Sequence, residues 1–168
     1  MSNKSELIEP IWFSTDKQLN SLVSAYNSAS LLTKLCGGFR IESEAASLRG
    51  LFFPWMRIPL GFVSQGKLSI TDTEICYHAV PFRLLGWRTK NVKNDLSFSL
   101  TRANLLSVEP FDFKSPFMSA FDMPFTRIHS SLPSPLDEFL LCVGGKFNLA
   151  RIHTRSRELR EALMQWHD

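Results

Sequence analysis

The stretch from Gly66 to Val80, GKLSITDTEICYHAV, constrains the fold more than any other part of this chain. Lys67-Leu68-Ser69-Ile70-Thr71 alternates polar and apolar residues, the period-2 pattern of a strand with one buried face. Thr71-Asp72-Thr73 breaks that pattern with turn formers. Ile75, Tyr77 and Ala79 then resume an apolar face, with Glu74, Cys76 and His78 opposite, until Pro81 ends the ladder. The stretch therefore reads as a β-hairpin, and the chain beyond it reads as further short strands and one closing helix.

Downstream, Leu96 to Thr101 alternates cleanly and predicts a strand, and Leu106 and Val108 continue into another. Phe111 and Phe113 resume that strand on a shifted phase, which predicts a bulge or edge position at Pro110. Four prolines between Lys114 and Leu136 (Pro116, Pro124, Pro133, Pro135) rule out one regular element. The aromatics Phe117, Phe121 and Phe125 rule out a low-complexity linker. An ordered excursion with one short strand near Phe125 to Ile128 is the reading that satisfies both. Glu138 to Val143, Gly144-Gly145 and Lys146 to Ile152 form a second expected hairpin, because Gly-Gly supplies the positive φ angles of tight turns. Thr154 or Ser156 is then in place to cap a last helix. There Leu159, Ala162, Leu163 and Trp166 make one apolar stripe, and Arg155, Arg157, Glu158, Arg160 and Glu161 face water.

Upstream, Met1 to Phe13 reads as a loosely held arm with an apolar end. Ser14, Thr15 or Asp16 can cap a helix that carries Leu19, Leu22, Val23, Tyr26 and Ala29 on one face and ends at Cys36-Gly37-Gly38. From Phe39 to Leu60, Pro54 and Pro59 exclude a central strand. Two readings stand for this part. Phe52, Phe53, Trp55 and Met56 beside Arg57 meet a membrane interface, or the segment is a buried connection over a sheet edge. The chain is thus expected to be one α+β unit, with residues 1–60 as an N-terminal extension whose helix packs on a barrel formed by residues 61–168.

Several function classes are disfavoured. The start MSNKSELIEP has no apolar run, so no secretory signal is expected. LFFPWMRIPLGFV is broken by Arg57 and two prolines and is shorter than the roughly 20 residues a membrane-spanning helix needs. Cys36, Cys76 and Cys142 are distant from one another and predict neither disulfides nor zinc, as expected of buried thiols in a reducing cytosol. A net charge of +3 is too small to imply nucleic acid. His78, His129, His153 and His167 are scattered without metal-ligand spacing. Asp112, Asp122 and Asp137 fit turn caps. There is no GxSxG, GxGxxG or GxxxxGK[ST], so no catalytic residue, metal or nucleotide cofactor is predicted.

Gly66-Lys67-Leu68-Ser69-Ile70-Thr71 followed by Glu74-Ile75-Cys76-Tyr77 resembles the opening of pleckstrin-homology-like domains, in particular the GRAM-like and bacterial branches. Phe98-Ser99-Leu100 through Leu105-Leu106-Ser107-Val108-Glu109 is similar to their middle. The resemblance implies an antiparallel, partly open barrel capped by a C-terminal helix, with Leu159, Leu163 and Trp166 as the plug. It also implies binding of lipid head groups, peptides or partner domains rather than catalysis. Members that bind phosphoinositides usually carry basic residues in the first hairpin loop, and here that loop contains Asp72 instead.

The best functional candidate is therefore the connection Pro81 to Asp95, PFRLLGWRTKNVKND. Arg83, Arg88, Lys90 and Lys93 lie on it with Trp87 near the middle, a pattern that suits an anionic bilayer on the cytoplasmic side. The alternative is a protein-interaction or homodimer surface built with Phe117, Phe121 and Phe125. A further alternative is a ligand-binding or enzymatic barrel.

Overall fold

The structure, a computed structural model, describes residues 6–28, 63–81, 83–84, 87–88, 95–115, 122–144 and 149–168. Strand β1 (Glu6–Ser14) is followed by helix α1 (Asp16–Ser28), β2 (Ser64–Ile70), β3 (Glu74–Ala79), β4 (Arg83–Leu84) and β5 (Trp87–Arg88). Then come β6 (Ser97–Thr101), β7 (Leu105–Phe113), β8 (Met123–Ser130), β9 (Glu138–Val143) and the closing helix α2 (Leu149–His167). Among the described residues, seven strands make one antiparallel sheet in the order β6-β3-β2-β1-β9-β8-β7, curled into a half-barrel, and β4 pairs with β5 in a separate ladder.

The β2–β3 hairpin forms as its alternation requires. Leu68 pairs with Tyr77 and Ile70 with Ile75, and Leu68, Ile75 and Tyr77 are buried. Thr71 closes the turn from both sides: its amide donates to the Glu74 carbonyl, and its hydroxyl accepts the Glu74 amide at 3.1 Å. Gly66 is needed here for space. A Cβ built on it would strike the His78 carbonyl oxygen and the Tyr77 ring.

The N-terminal segment is not an arm. β1 is the central strand, paired with β2 on one side and β9 on the other. Pro10 argues against a central strand, since proline cannot donate to a ladder. The chain resolves the conflict with a bulge, because the register with β2 shifts between Ile8 and Ile11 and leaves Glu9 and Pro10 outside the pairing. Ile8, Ile11 and Phe13 consequently all reach the same core despite their uneven spacing. A boundary at residue 60 therefore does not follow the sheet. Helix α1 begins where expected, with the Thr15 hydroxyl accepting the Gln18 amide at 3.2 Å, and it buries Leu19 and Leu22. The expected helix end at Cys36-Gly37-Gly38 and the whole of Phe39 to Leu60 lie outside the described residues.

Of two further expectations, the one at Pro110 holds as an edge position and not as a bulge, and the second is corrected. β7 runs unbroken through Pro110, which pairs with Thr126, and the irregularity lies between Leu105 and Ser107 instead. β7 is an edge strand, where a residue without an amide hydrogen is tolerated. The bulge turns Leu106 outward, 59% exposed. Second, Leu149 to Ile152 is helical and is not the partner strand of β9. Both edges of β9 are already occupied, by β1 and β8, so a further strand has no seat beside it. The buried positions Ile152, Ser156, Leu159, Leu163 and Trp166 carry the helical spacing back to the start of α2. Gly144 still closes the end of β9. Its amide donates to the Pro10 carbonyl at 2.7 Å, and a Cβ there would fall into the Trp12 indole. Gly145 lies outside the described residues.

Two hydrophobic layers flank the sheet. Inside the curl, Phe13, Tyr77, Phe98 and Phe139 pack ring against ring, with centroids 5.0–6.0 Å apart. Leu159, Leu163 and Trp166 of α2 fill the same core. On the other face, Leu19 of α1 packs with Met123, Phe125, Leu140 and Cys142. β9 is therefore buried on both faces, which its unbroken apolar run Phe139 to Val143 reflects.

Candidate functional site

The basic connection folds at its centre into a small hairpin separate from the main sheet. Arg83 pairs with Arg88, and Leu84 pairs with Trp87. The backbone register thus sets two cationic positions opposite each other and two apolar positions opposite each other. Lys90 and Lys93, the other two candidate cations, lie outside the described residues. So do Phe117 and Phe121 of the candidate partner surface. Phe125, the third residue of that surface, is only 2% exposed and packs beneath α1, so it presents no face to a partner. β8 spans Met123 to Ser130 between β7 and β9, longer and more central than the short strand expected, and Phe125 lies on its α1-covered face.

The first hairpin loop is occupied by the fold itself. The Thr71 hydroxyl bonds to the Glu74 carbonyl at 2.9 Å, and the Thr71 carbonyl accepts the Trp166 indole N–H at 2.6 Å. The Arg102 guanidinium lies 5.0 Å from the centroid of the same indole. Trp166 therefore joins the loop to the end of α2.

The outer face of β7–β9 carries a network of carboxylates around one guanidinium and one imidazole. Arg127 on β8 donates from one guanidinium nitrogen to both carboxylate oxygens of Asp16, at 3.0 and 2.8 Å, and its Nε lies 3.3 Å from Glu138. Its guanidinium also covers the Phe111 ring at 4.4 Å. His129, two residues along, stands between Glu109 and Glu138 at 4.0 and 3.9 Å. This network ties the first turn of α1 to the sheet. Nearby, Arg160 does not face water as its place in the sequence implies. It donates to Asp112 and to the Phe125 carbonyl, both at 2.8 Å. Asp122 accepts the Ser115 amide and the Lys114 ammonium, and those two bonds, the backbone one foremost, hold its carboxyl below the usual range.

Among the described residues the remaining reactive groups do not converge. Burial pushes the Cys142 thiol well up, as it does the Tyr77 phenol, whose hydrogen bond to Ser64 Oγ at 2.9 Å works against that rise. Cys76 and the exposed His78 share the outer face of β3. There the Ser99 hydroxyl donates to Glu74 at 2.7 Å and receives a weak thiol contact from Cys76 at 3.6 Å. Among the described residues no group of three or more His, Cys, Asp or Glu side chains is placed to hold a metal ion. Among the same residues no helix is long and apolar enough to cross a membrane.

Sequence reasoning passes over Arg127 and over β6 as an end strand of the sheet among the described residues. Arg127 is hidden in a proline-rich excursion. The strand itself is visible as SFSLT, an alternating strand with no charge and no proline. No protein-family model, curated protein or solved structure matches the chain.

Proposed function

We propose that the protein is a non-catalytic binding module of pleckstrin-homology-like type that attaches peripherally to anionic membrane at the cytoplasmic face, through the connection Pro81 to Asp95. The observation that carries this reading is the register of β4–β5, which sets Arg83 opposite Arg88 in a hairpin outside the main sheet. Like charges directly opposite on a ladder destabilise it. An anion between them removes that penalty, and arginine is the residue whose fork of donors matches a phosphate. Trp87, in register with Leu84, supplies the residue type that prefers the headgroup level. Basic residues near an anionic surface contribute about 1 kcal/mol each. Seven antiparallel strands with a helix plugging the curl also fit the architecture such modules use. Because the first hairpin loop is sealed by Trp166 and carries Asp72, the anion is met at the β4–β5 hairpin instead.

Co-sedimentation with neutral and anionic phospholipid vesicles, at low and high salt, tests this. The wild-type chain is expected to bind anionic vesicles only, and to be released by salt. Arg88→Glu together with Lys90→Glu is expected to weaken binding at least about a hundredfold. No binding at low salt, or binding that the double variant leaves unchanged, ends the reading.

A further inference from the structure

The two rungs of the β4–β5 ladder differ in chemistry. Arg83 stands opposite Arg88, and Leu84 opposite Trp87. Residues directly opposite in an antiparallel pair share a face, with Cβ atoms about 5 Å apart. Both arginines therefore belong to one face of the hairpin, and Leu84 and Trp87 to the other. The apolar rung is the one nearer the turn, since only residues 85 and 86 separate Leu84 from Trp87. The cationic rung lies one residue further along each strand, a rise of about 3.4 Å. Between Pro81 and Asn94 the connection supplies no acid of its own to neutralise it.

Two arginines placed as cross-strand partners set the charge and the oxygen count of the anion that fits them. A phosphate diester carries a single negative charge and a single pair of free oxygens, which one guanidinium fork occupies completely. A phosphate monoester carries about −1.5 to −2 at pH 7 and a third free oxygen. Its charge offsets both arginines, and its oxygens serve two forks that share one of them. Lysine, a point charge, would serve a purely electrostatic attachment equally well. The order of the rungs sets the depth of that phosphate. Tryptophan prefers the headgroup level, and the arginines stand one residue beyond it. The phosphate they meet is therefore close to the acyl layer.

We infer that the β4–β5 hairpin selects a lipid phosphate monoester, borne directly on the acylated glycerol, over phosphodiester lipids of equal surface charge. The inference rests on the membrane attachment proposed above and adds the head group to it. Charge alone makes every anionic lipid equivalent. The paired arginines do not, because a diester leaves one fork without oxygens and one positive charge facing another. A monoester carried out on a sugar ring has the right oxygens at the wrong depth, since the apolar rung then loses its contact with the headgroup level. A free phosphate monoester meets the arginines and leaves Leu84 and Trp87 without a role.

Co-sedimentation of the full chain with phosphatidylcholine vesicles doped to equal surface potential tests the inference. The dopants are phosphatidic acid, phosphatidylglycerol and phosphatidylinositol 4-phosphate. Binding to phosphatidic acid is expected to be at least about tenfold tighter than to phosphatidylglycerol, and tighter than to the ring monoester. Arg83→Lys with Arg88→Lys keeps the charge and removes the forks, and is expected to bring the ratio of phosphatidic acid to phosphatidylglycerol affinities close to one. Glycerol 3-phosphate, the same monoester without acyl chains, is expected not to displace the protein at a concentration equal to that of the lipid phosphate. Equal binding to phosphatidic acid and phosphatidylglycerol overturns the inference and leaves membrane attachment standing. So does a preference that the lysine variant preserves. Tighter binding to the ring monoester, or displacement by glycerol 3-phosphate, overturns it as well. No binding to any of these vesicles at low salt ends the attachment reading and the inference together.

Discussion

Tyr77 shows how a single position couples burial to pH. Its ring lies in the innermost layer, fully buried, and its hydroxyl donates to the equally buried Ser64. Burial raises the phenol's pKa in the fold, so the folded state resists the ionisation that the unfolded chain undergoes near about pH 10. The stability this contributes is complete below that pH and is lost as pH rises above it. Tyr77→Phe is expected to cost about 1 kcal/mol at neutral pH, because Ser64 loses its buried partner. It should also flatten the alkaline decline. Urea denaturation of both chains across an alkaline pH series measures this, and equal slopes would refute it. Gly144 makes a different point at the same scale. Next to Gly145 it reads as a turn residue, but what requires a glycine is the Trp12 indole packed against it. No local pattern announces a neighbour more than a hundred residues away.

Arg127 acts on an element, since it holds the start of α1 against the outer face of the sheet through Asp16 while sharing Glu138. Asp16 and Glu138 keep roughly two-fifths of their side-chain surface in water, so screening limits the pair's worth. Arg127→Leu is expected to cost about 1 kcal/mol in global stability. Local opening should exceed that. Amide exchange in Asp16–Ser28 should accelerate more than in β2 or β3, and uniform acceleration across the protein would contradict this role. The elements themselves are unevenly legible. β2, β3, β6 and β9 follow from alternation or an unbroken apolar run. β1 is not legible, because Pro10 and the uneven spacing of Ile8, Ile11 and Phe13 disguise a bulged strand. The start of α2 is masked because a Gly-Gly pair after a strand reads as a hairpin turn until both edges of β9 are known to be taken.

At the scale of the molecule, α2 closes the curl and bonds its last turn back to the β2–β3 loop through Trp166. First and last parts of the chain thus share one core, with β1 at the centre of the sheet and α2 inside it. Trp166→Ala removes a buried ring and the bond to Thr71, and is expected to lower stability by about 3 kcal/mol. Because the core is continuous, unfolding should stay a single transition. Coincident curves from far-UV circular dichroism and tryptophan fluorescence would agree with that, and two separated transitions would not.

The sequence alone determined the kind of elements: short antiparallel strands, a helix after Thr15 and a closing amphipathic helix. Those rest on periods of 2 and 3.6, which are local properties of the chain. It also carried the basic connection, because charge is written residue by residue. Tertiary structure alone decided the strand order, the central place of β1, the burial of Phe125 and the place of β7, with its Pro110, at an edge. Each of these depends on which strands become neighbours. That choice is made by fitting whole apolar faces together around one core, and no window of adjacent residues contains it.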